Sequence, residues 1–154
     1  MIRESFPGAS WQRCKVHFMW NILPQKEKQS FASVLKEIWL TPTAERARKR
    51  AYEVIDTDSK RFPKAVHCLE NGLEDSLTFY MFPKLDARKI SSSNMMERLN
   101  REIRRRISVV GIFPNEESYV RLVSTYLMEY TEDWSVSGAY LSQQSIEATL
   151  RMAA

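Results

Sequence analysis

The chain has 154 residues, among them 23 lysines and arginines, 19 aspartates and glutamates, two histidines and two cysteines. Two cysteines far apart in sequence cannot form the framework of a disulfide-rich secreted domain, so we expect a reducing compartment. Four dispersed glycines exclude the clustered-glycine loops that bind nucleotide phosphates. The net charge of +4 is too small to predict a nucleic-acid partner by itself.

No run of apolar residues approaches the roughly 18 that a membrane-spanning helix needs, and the amino terminus lacks the apolar stretch of a signal peptide. The length is that of one domain, and a hydrophobic fraction of 44% is enough to bury a core. We therefore expect a cytoplasmic protein with no membrane partner.

The first part of the chain is predicted to be one short strand followed by two helices. Loose alternation of apolar and polar residues predicts a strand over Ser10–Phe18. Apolar residues at three- and four-residue spacing predict a helix over Ser30–Leu40. The hydroxyl of Thr43 is placed to cap a second helix, which continues to Ile55.

The next segment gives a weaker pattern. We expect a helix over Phe62–Asn71, with Gly72 as its C-cap. The apolar stretch Leu77–Phe82 fits either a helix or a strand.

The most regular helix pattern begins near Asn94. At about 100° per residue, one stripe of its surface is apolar and is predicted to be buried: Met96, Leu99, Ile103, Ile107 and Val110. A further helix ends at Trp134 and is predicted to bury Tyr119, Val120, Leu122, Val123, Leu127 and Tyr130. The tail Ser135–Ala154 is expected to hold one more helix.

Another side of the first of these helices carries a carboxylate among arginines. Four arginines lie within about 100° of Glu97 on the helical wheel: Arg98, Arg101, Arg104 and Arg105. Glu97 fits a capping box with Asn94 as the N-cap, and it also fits a metal-binding or catalytic carboxylate. The arginines fit a solvated face with intrahelical ion pairs or a face that holds phosphates.

Cysteine and histidine residues occur close together at two places. Cys14-x-x-His17 is half of a zinc site, and His67-Cys68 could supply two further ligands. Adjacent ligands do not readily bind one tetrahedral ion together. We therefore expect Cys14 to be buried and His17 to be hydrogen-bonded at the end of the strand.

Three segments closely resemble the C-terminal part of the Mutator-type transposases of bacterial insertion sequences: Phe6–Phe18, Ser93–Arg106 and Val109–Ser118. The resemblance extends from about Ser5 to Trp134. It implies a mainly α chain with one or few short strands, the C-terminal portion of a ribonuclease-H-like α/β core that carries an α-helical insertion.

The same resemblance implies a domain organisation. Residues 1–20 would be the last strand region of the core, and residues 21–90 the α-helical insertion. Residues 91–134 would hold the helix of the catalytic glutamate and the core helix after it, and residues 135–154 a C-terminal tail.

The function that the resemblance implies is DNA cutting and strand transfer. In that family two aspartates and one glutamate bind two divalent ions, Mg²⁺ or Mn²⁺. Glu97 matches the glutamate, within an Asn-x-x-Glu-Arg motif that begins at Asn94, and Cys14 and His17 match a Cys-x-x-His motif near the active site. The phosphates of insertion-sequence ends would be contacted by Arg98, Arg101, Arg104 and Arg105. A full-length transposase or a second copy of the chain would be a further partner.

The chain also departs from the family pattern. The family aspartates precede the Cys-x-x-His motif, and none of the residues before Cys14 is an aspartate. Trp20 stands where the family usually has an arginine. We therefore expect a transposase fragment that is inactive alone and holds no metal tightly. The alternatives are a non-catalytic module that binds DNA or a transposase, and a remnant without a selected function.

Overall fold

A computed structural model describes residues 2–23, 28–137 and 139–153 of the chain. Within these ranges the helices are α1 (Ile2–Ser5), α2 (Lys15–Ile22), α3 (Lys28–Leu40), α4 (Ala44–Asp58), α5 (Pro63–Leu77), α6 (Ala87–Ile90), α7 (Asn94–Val110), α8 (Glu116–Ser137) and α9 (Gln143–Ala153). A 3₁₀ helix, Thr78–Met81, follows α5. The described residues contain no strand, and the prediction of a mainly α chain is confirmed.

The chain divides into two compact units. The first comprises residues 1–83 and 90–92, and the second comprises residues 84–89 and 93–154. Among the described helices, none is long and apolar enough to cross a membrane.

The predicted strand over Ser10–Phe18 is wrong, because α2 begins inside it. Phe18 and Ile22 are four residues apart and both are buried, which is the spacing of one helix face. The main chain before α2 is also engaged elsewhere, since the amide of Arg13 donates a hydrogen bond to the carbonyl of Asp75 at 2.8 Å. That bond uses an amide that a strand would offer to its neighbour.

Helices α2 to α5 enclose the core of the first unit. Its most deeply buried side chains come from all four helices: Phe18, Ile22, Leu35, Ile38, Ala47, Ala51, Val54, Leu69, Leu73 and Leu77. The predicted helix over Ser30–Leu40 lies within α3. The predicted cap of α4 is also present, because the hydroxyl of Thr43 accepts a hydrogen bond from the amide of Arg46 at 3.3 Å.

Gly72 lies inside α5, so the prediction that it ends a helix is wrong. A Cβ at this position would lie 2.5 and 2.6 Å from two ring atoms of Phe18, which is too close for carbon atoms. The glycine is therefore required by helix packing. The stretch Leu77–Phe82, for which the sequence fits either a helix or a strand, contains the 3₁₀ helix, and Phe79 in that helix is buried.

In the second unit α7 packs against α8. Leu99, Ile103 and Ile107 are half-buried there, whereas Met96 and Val110 are 52% and 49% exposed. The predicted buried stripe of α7 therefore has the correct helical phase but is wrong at its ends.

The predicted buried side of α8 needs a similar correction. Among the α8 side chains that the structure describes, Tyr126 is the buried one, and the sequence pattern missed it although it lies four residues after Leu122. Tyr119 and Val120 are exposed, and α8 continues past Trp134. The helix expected in the tail is present as α9.

Candidate nucleic-acid interface

The candidate site begins at the amino-terminal end of α7. The N-cap residue is Ser93, not Asn94 as predicted, because the helix already begins at Asn94. A run of three serines and an asparagine offers several residues that can precede a helix, so spacing alone selects the wrong one.

Glu97 is held in the first part of the helix by Ser93. The hydroxyl of Ser93 donates to Oε1 of Glu97 at 2.6 Å, and the amide of Glu97 donates to the carbonyl of Ser93 at 3.0 Å. The carboxylate is solvent-exposed and lies where the helix dipole favours negative charge.

Three of the predicted phosphate ligands, Arg98, Arg101 and Arg104, are exposed on α7. Within the described ranges no carboxylate forms an ion pair with any of them. Nε of Arg104 donates a 3.3 Å hydrogen bond to the carbonyl of Asn100 in the same helix. Their positive charge is therefore directed to solvent.

Arg105, the fourth predicted ligand, has a carboxylate partner. Its Nε and Nη2 atoms donate to the two oxygens of Glu102 at 2.9 and 2.7 Å. This hydrogen bonding lowers the pKa of Glu102 below its ordinary value. The free positive charge of the helix is thus concentrated in Arg98, Arg101 and Arg104, which we call the arginine face.

Arg106 joins α7 to α8, a role that the wheel did not predict. Its guanidinium lies 4.2 Å above the ring of Tyr126, and its Nε lies 3.3 Å from Oε1 of Glu102. Burial raises the pKa of Tyr126. The four-residue spacing between Glu102 and Arg106 is the signal that could have indicated the ion pair.

Cys14 and His17 belong to the first unit. Cys14 is the N-cap residue of α2 and its thiol is half-buried, whereas His17 is exposed in the first turn of that helix. The expected position at the end of a strand is wrong for both. His67 and Cys68 lie on α5, where the side-chain nitrogen of Asn71 is 3.0 Å from Nε2 of His67.

The described residues do not fit a two-metal centre. A pair of hard divalent ions is held by several carboxylates, and in the described part of the chain no three His, Cys, Asp or Glu side chains group together. Glu97 with the hydroxyl of Ser93 is a single carboxylate and one neutral oxygen.

Cations elsewhere in the molecule show how α7 differs. On α4, Arg48 forms two 2.8 Å hydrogen bonds with Glu74, and Arg50 contacts Glu37 at 2.7 Å and Glu53 at 3.0 Å. Acidic neighbours thus balance these guanidinium groups. The arginine face of α7 has no such balance in the described residues.

The fold and the site define a helical protein with a cationic helix face beside one exposed carboxylate. The chain belongs to the Mutator family of transposases, whose family model matches residues 1–137.

Curated relatives agree with this membership. The chain is 35% identical to the transposase for insertion sequence element ISRM5 of Rhizobium meliloti (strain 1021), over 99% of this chain and 39% of the relative. It is 38% identical to the transposase for IS1081 of Mycobacterium tuberculosis, over 91% and 34% of the two chains. It is 37% identical to the transposase for IS256 in transposon Tn4001 of Staphylococcus aureus, over 88% and 36%. The chain thus spans between 34% and 39% of the length of these relatives.

Proposed function

We propose that this chain acts in DNA transposition and that α7 holds the phosphate backbone of DNA beside a catalytic carboxylate, Glu97. The observation that carries the proposal is the arginine face: three exposed arginines without carboxylate partners in the described residues, in the two helical turns after Glu97.

The spacing of these arginines suits a nucleic-acid strand. At a rise of about 1.5 Å per residue, Arg98 and Arg104 are about 9 Å apart along the helix axis. Phosphates of one strand follow one another at about 3.4 Å along the duplex axis, so each guanidinium can reach a different phosphate. Such contacts position DNA without reading its sequence. We propose Arg105 as a further phosphate ligand, which would exchange its pairing with Glu102 for a phosphate.

The binding step is tested by removing the positive charge from the arginine face. The triple variant R98A/R101A/R104A is expected to bind duplex DNA at least about tenfold more weakly than the wild type, measured by fluorescence anisotropy at fixed salt. These side chains are exposed, so circular dichroism should show an unchanged helix content.

A matched control removes the same charge elsewhere. Arg46, Lys49 and Lys60 are exposed in the first unit and form no ion pair in the described part of the structure. The triple variant R46A/K49A/K60A is expected to lose much less affinity. Equal losses in both variants would contradict a specific role of α7.

For the chemistry, we propose that Glu97 is one metal-binding carboxylate of a two-metal phosphodiester reaction and that the 154-residue chain is inactive alone. Glu97 is one carboxylate, whereas a pair of divalent ions needs several, and this supports the second part. We further propose that the chain belongs to a ribonuclease-H-like core, with Asn94, Cys14 and His17 near its active site and residues 21–90 as an α-helical insertion.

A strand-transfer assay with the purified chain, insertion-sequence-end DNA and Mg²⁺ or Mn²⁺ tests the chemical proposal. We expect no product from the wild type. Turnover that is abolished in E97Q would contradict inactivity but support the role of Glu97. Turnover that persists in E97Q would contradict the assignment of Glu97. DNA binding without turnover is also what a non-catalytic DNA-binding module would show.

A further inference from the structure

The end of α7 and the turn after it expose three aliphatic side chains to solvent. Ile112 is 91% exposed, Val109 78% and Val110 49%. We call these three residues the aliphatic tip. Apolar side chains grouped on a surface mark a place where a partner removes them from water.

The backbone before Ile112 turns sharply at a glycine. Gly111 has φ +78° and ψ −82°, and the amide of Ile112 donates to the carbonyl of Val110 at 3.1 Å, which is a γ-turn. A residue with a Cβ is strained in this conformation, and glycine is not. The amide of Gly111 donates to the carbonyl of Ile107 at 3.0 Å, so the turn is attached to the last part of α7.

The chain after Ile112 is also fixed. The ring of Phe113 packs edge-on against Tyr119, with centroids 5.5 Å apart. The side-chain oxygen of Asn115 accepts hydrogen bonds from the amide and the hydroxyl of Ser118 at 2.8 and 2.7 Å. Contacts on both sides therefore hold Ile112 in position.

The aliphatic tip continues the cationic surface of α7. Val109 follows Arg98 by eleven residues, about three helical turns, and so lies on the same side of the helix as this member of the arginine face. Arg101 and Val109 are about 12 Å apart along the axis. A polyanion on the arginine face therefore extends past the tip. This charge complementarity selects DNA, which offers phosphates to the arginines and apolar base surfaces to the aliphatic side chains.

We propose that the aliphatic tip, with Ile112 foremost, inserts between adjacent base pairs of duplex DNA held by the arginine face, and that it unstacks and kinks that step. Aliphatic wedges beside basic residues act in this way in proteins that bend DNA. The inference rests on the proposed DNA binding by α7 and adds a second, apolar contact that distorts the duplex.

The test uses the full 154-residue chain and duplexes that carry the fluorescent base 2-aminopurine at successive positions, including flexible TA and CA steps. Unstacking of this base raises its fluorescence. The wild type is expected to raise the fluorescence at one or two adjacent positions. The double variant V109S/I112S is expected to lose most of this increase while its salt-dependent binding is retained. Both side chains are exposed, and circular dichroism verifies folding.

A control variant changes two other exposed apolar residues of the same unit. V120S/M128S on α8, where these side chains are 50% and 64% exposed, is expected to keep the full fluorescence increase.

An increase of equal size in V109S/I112S, or no increase with the wild type despite binding, would overturn the insertion but not the proposed DNA binding. Undetectable binding by the wild type would overturn both. Self-association of the wild type that V109S/I112S abolishes, without a fluorescence change on DNA, would show that the tip contacts a second copy and would overturn insertion.

Discussion

Gln12 connects the segment before α2 to the end of α5. Its side-chain nitrogen donates to the carbonyl of Ser76 at 3.1 Å, and its side-chain oxygen accepts from the amide of Phe79 at 2.6 Å. Ser76 is fully buried and its hydroxyl accepts from the indole nitrogen of Trp39 at 3.0 Å. This hydrogen-bond network gives partners to backbone groups where α5 ends and the 3₁₀ helix begins. Backbone groups that are buried need such partners.

Gly72 allows α2 and α5 to approach closely. A Cβ at this position would contact the Nη1 atom of Arg13 and the ring of Phe18. The guanidinium of Arg13 itself lies 4.5 Å from the centre of the Phe18 ring. Arg13 can move because its side chain is long, but the Phe18 ring is fully buried.

Gly72→Ala is therefore expected to destabilise the protein by about 1–3 kcal/mol, the usual cost of inserting a methyl group into a packed core. Urea unfolding followed by circular dichroism measures the difference. Glu70→Ala, at an exposed position of α5, should change stability by less than about 0.5 kcal/mol. Similar stability of G72A and the wild type would show that the contact with Phe18 is easily relieved.

At the scale of elements, α4 and α5 are joined by apolar packing and by one surface ion pair, Arg48–Glu74. The hydrogen bonds from Arg48 lower the pKa of Glu74 and raise that of the arginine. Both side chains are largely exposed, so the contribution of the pair to stability is about 0.2–1 kcal/mol.

The pH dependence of this pair has a defined sign. Because the pKa of Glu74 is lowered on folding, its contribution is present above the unfolded pKa and is lost as the pH falls through the folded value. Glu74→Gln is expected to be slightly less stable than the wild type at pH 7, and the difference should decrease as the pH falls below the ordinary pKa of a glutamate, about 4.3. Unfolding curves at several pH values measure it, with Glu70→Gln as the control. A difference that stays constant down to pH 3 would contradict the pairing.

The helices with a regular apolar period could be predicted from the sequence, and the segments without one could not. For α3, α4 and α7 a repeat of three and four residues determines the buried side. The segment Ser10–Phe18 satisfies strand and helix patterns at once. Its conformation is decided by contacts with α5 that are distant in sequence, such as Arg13 with Asp75. The prediction that Gly72 ends a helix fails for the same reason, because the constraint on it comes from Phe18 on another helix.

The residues of the candidate site could be predicted from the sequence, but the contacts between their side chains could not. The wheel groups Arg98, Arg101 and Arg104 with Glu97, but it cannot show that Arg105 turns to Glu102 and Arg106 to Tyr126. Side-chain partners depend on rotamers and on α8. The roles of Glu97, Cys14 and His17 in chemistry stay predictions.

For the molecule as a whole, a net charge of +4 is distributed unevenly. Acidic partners balance Arg48 and Arg50 of α4, whereas the arginine face of α7 has no partner of this kind in the described ranges. A mildly basic protein can therefore present one strongly cationic surface, which is what duplex DNA requires.

The central claim, that α7 binds DNA phosphates, is tested most directly by the salt dependence of duplex binding. Each phosphate contact contributes about −0.9 to the slope of log affinity against log salt concentration. We expect the slope of R98A/R101A/R104A to be smaller in magnitude than that of the wild type by about 2–3, and the slope of R46A/K49A/K60A to be nearly unchanged. Equal slopes for the wild type and the α7 variant would contradict the claim.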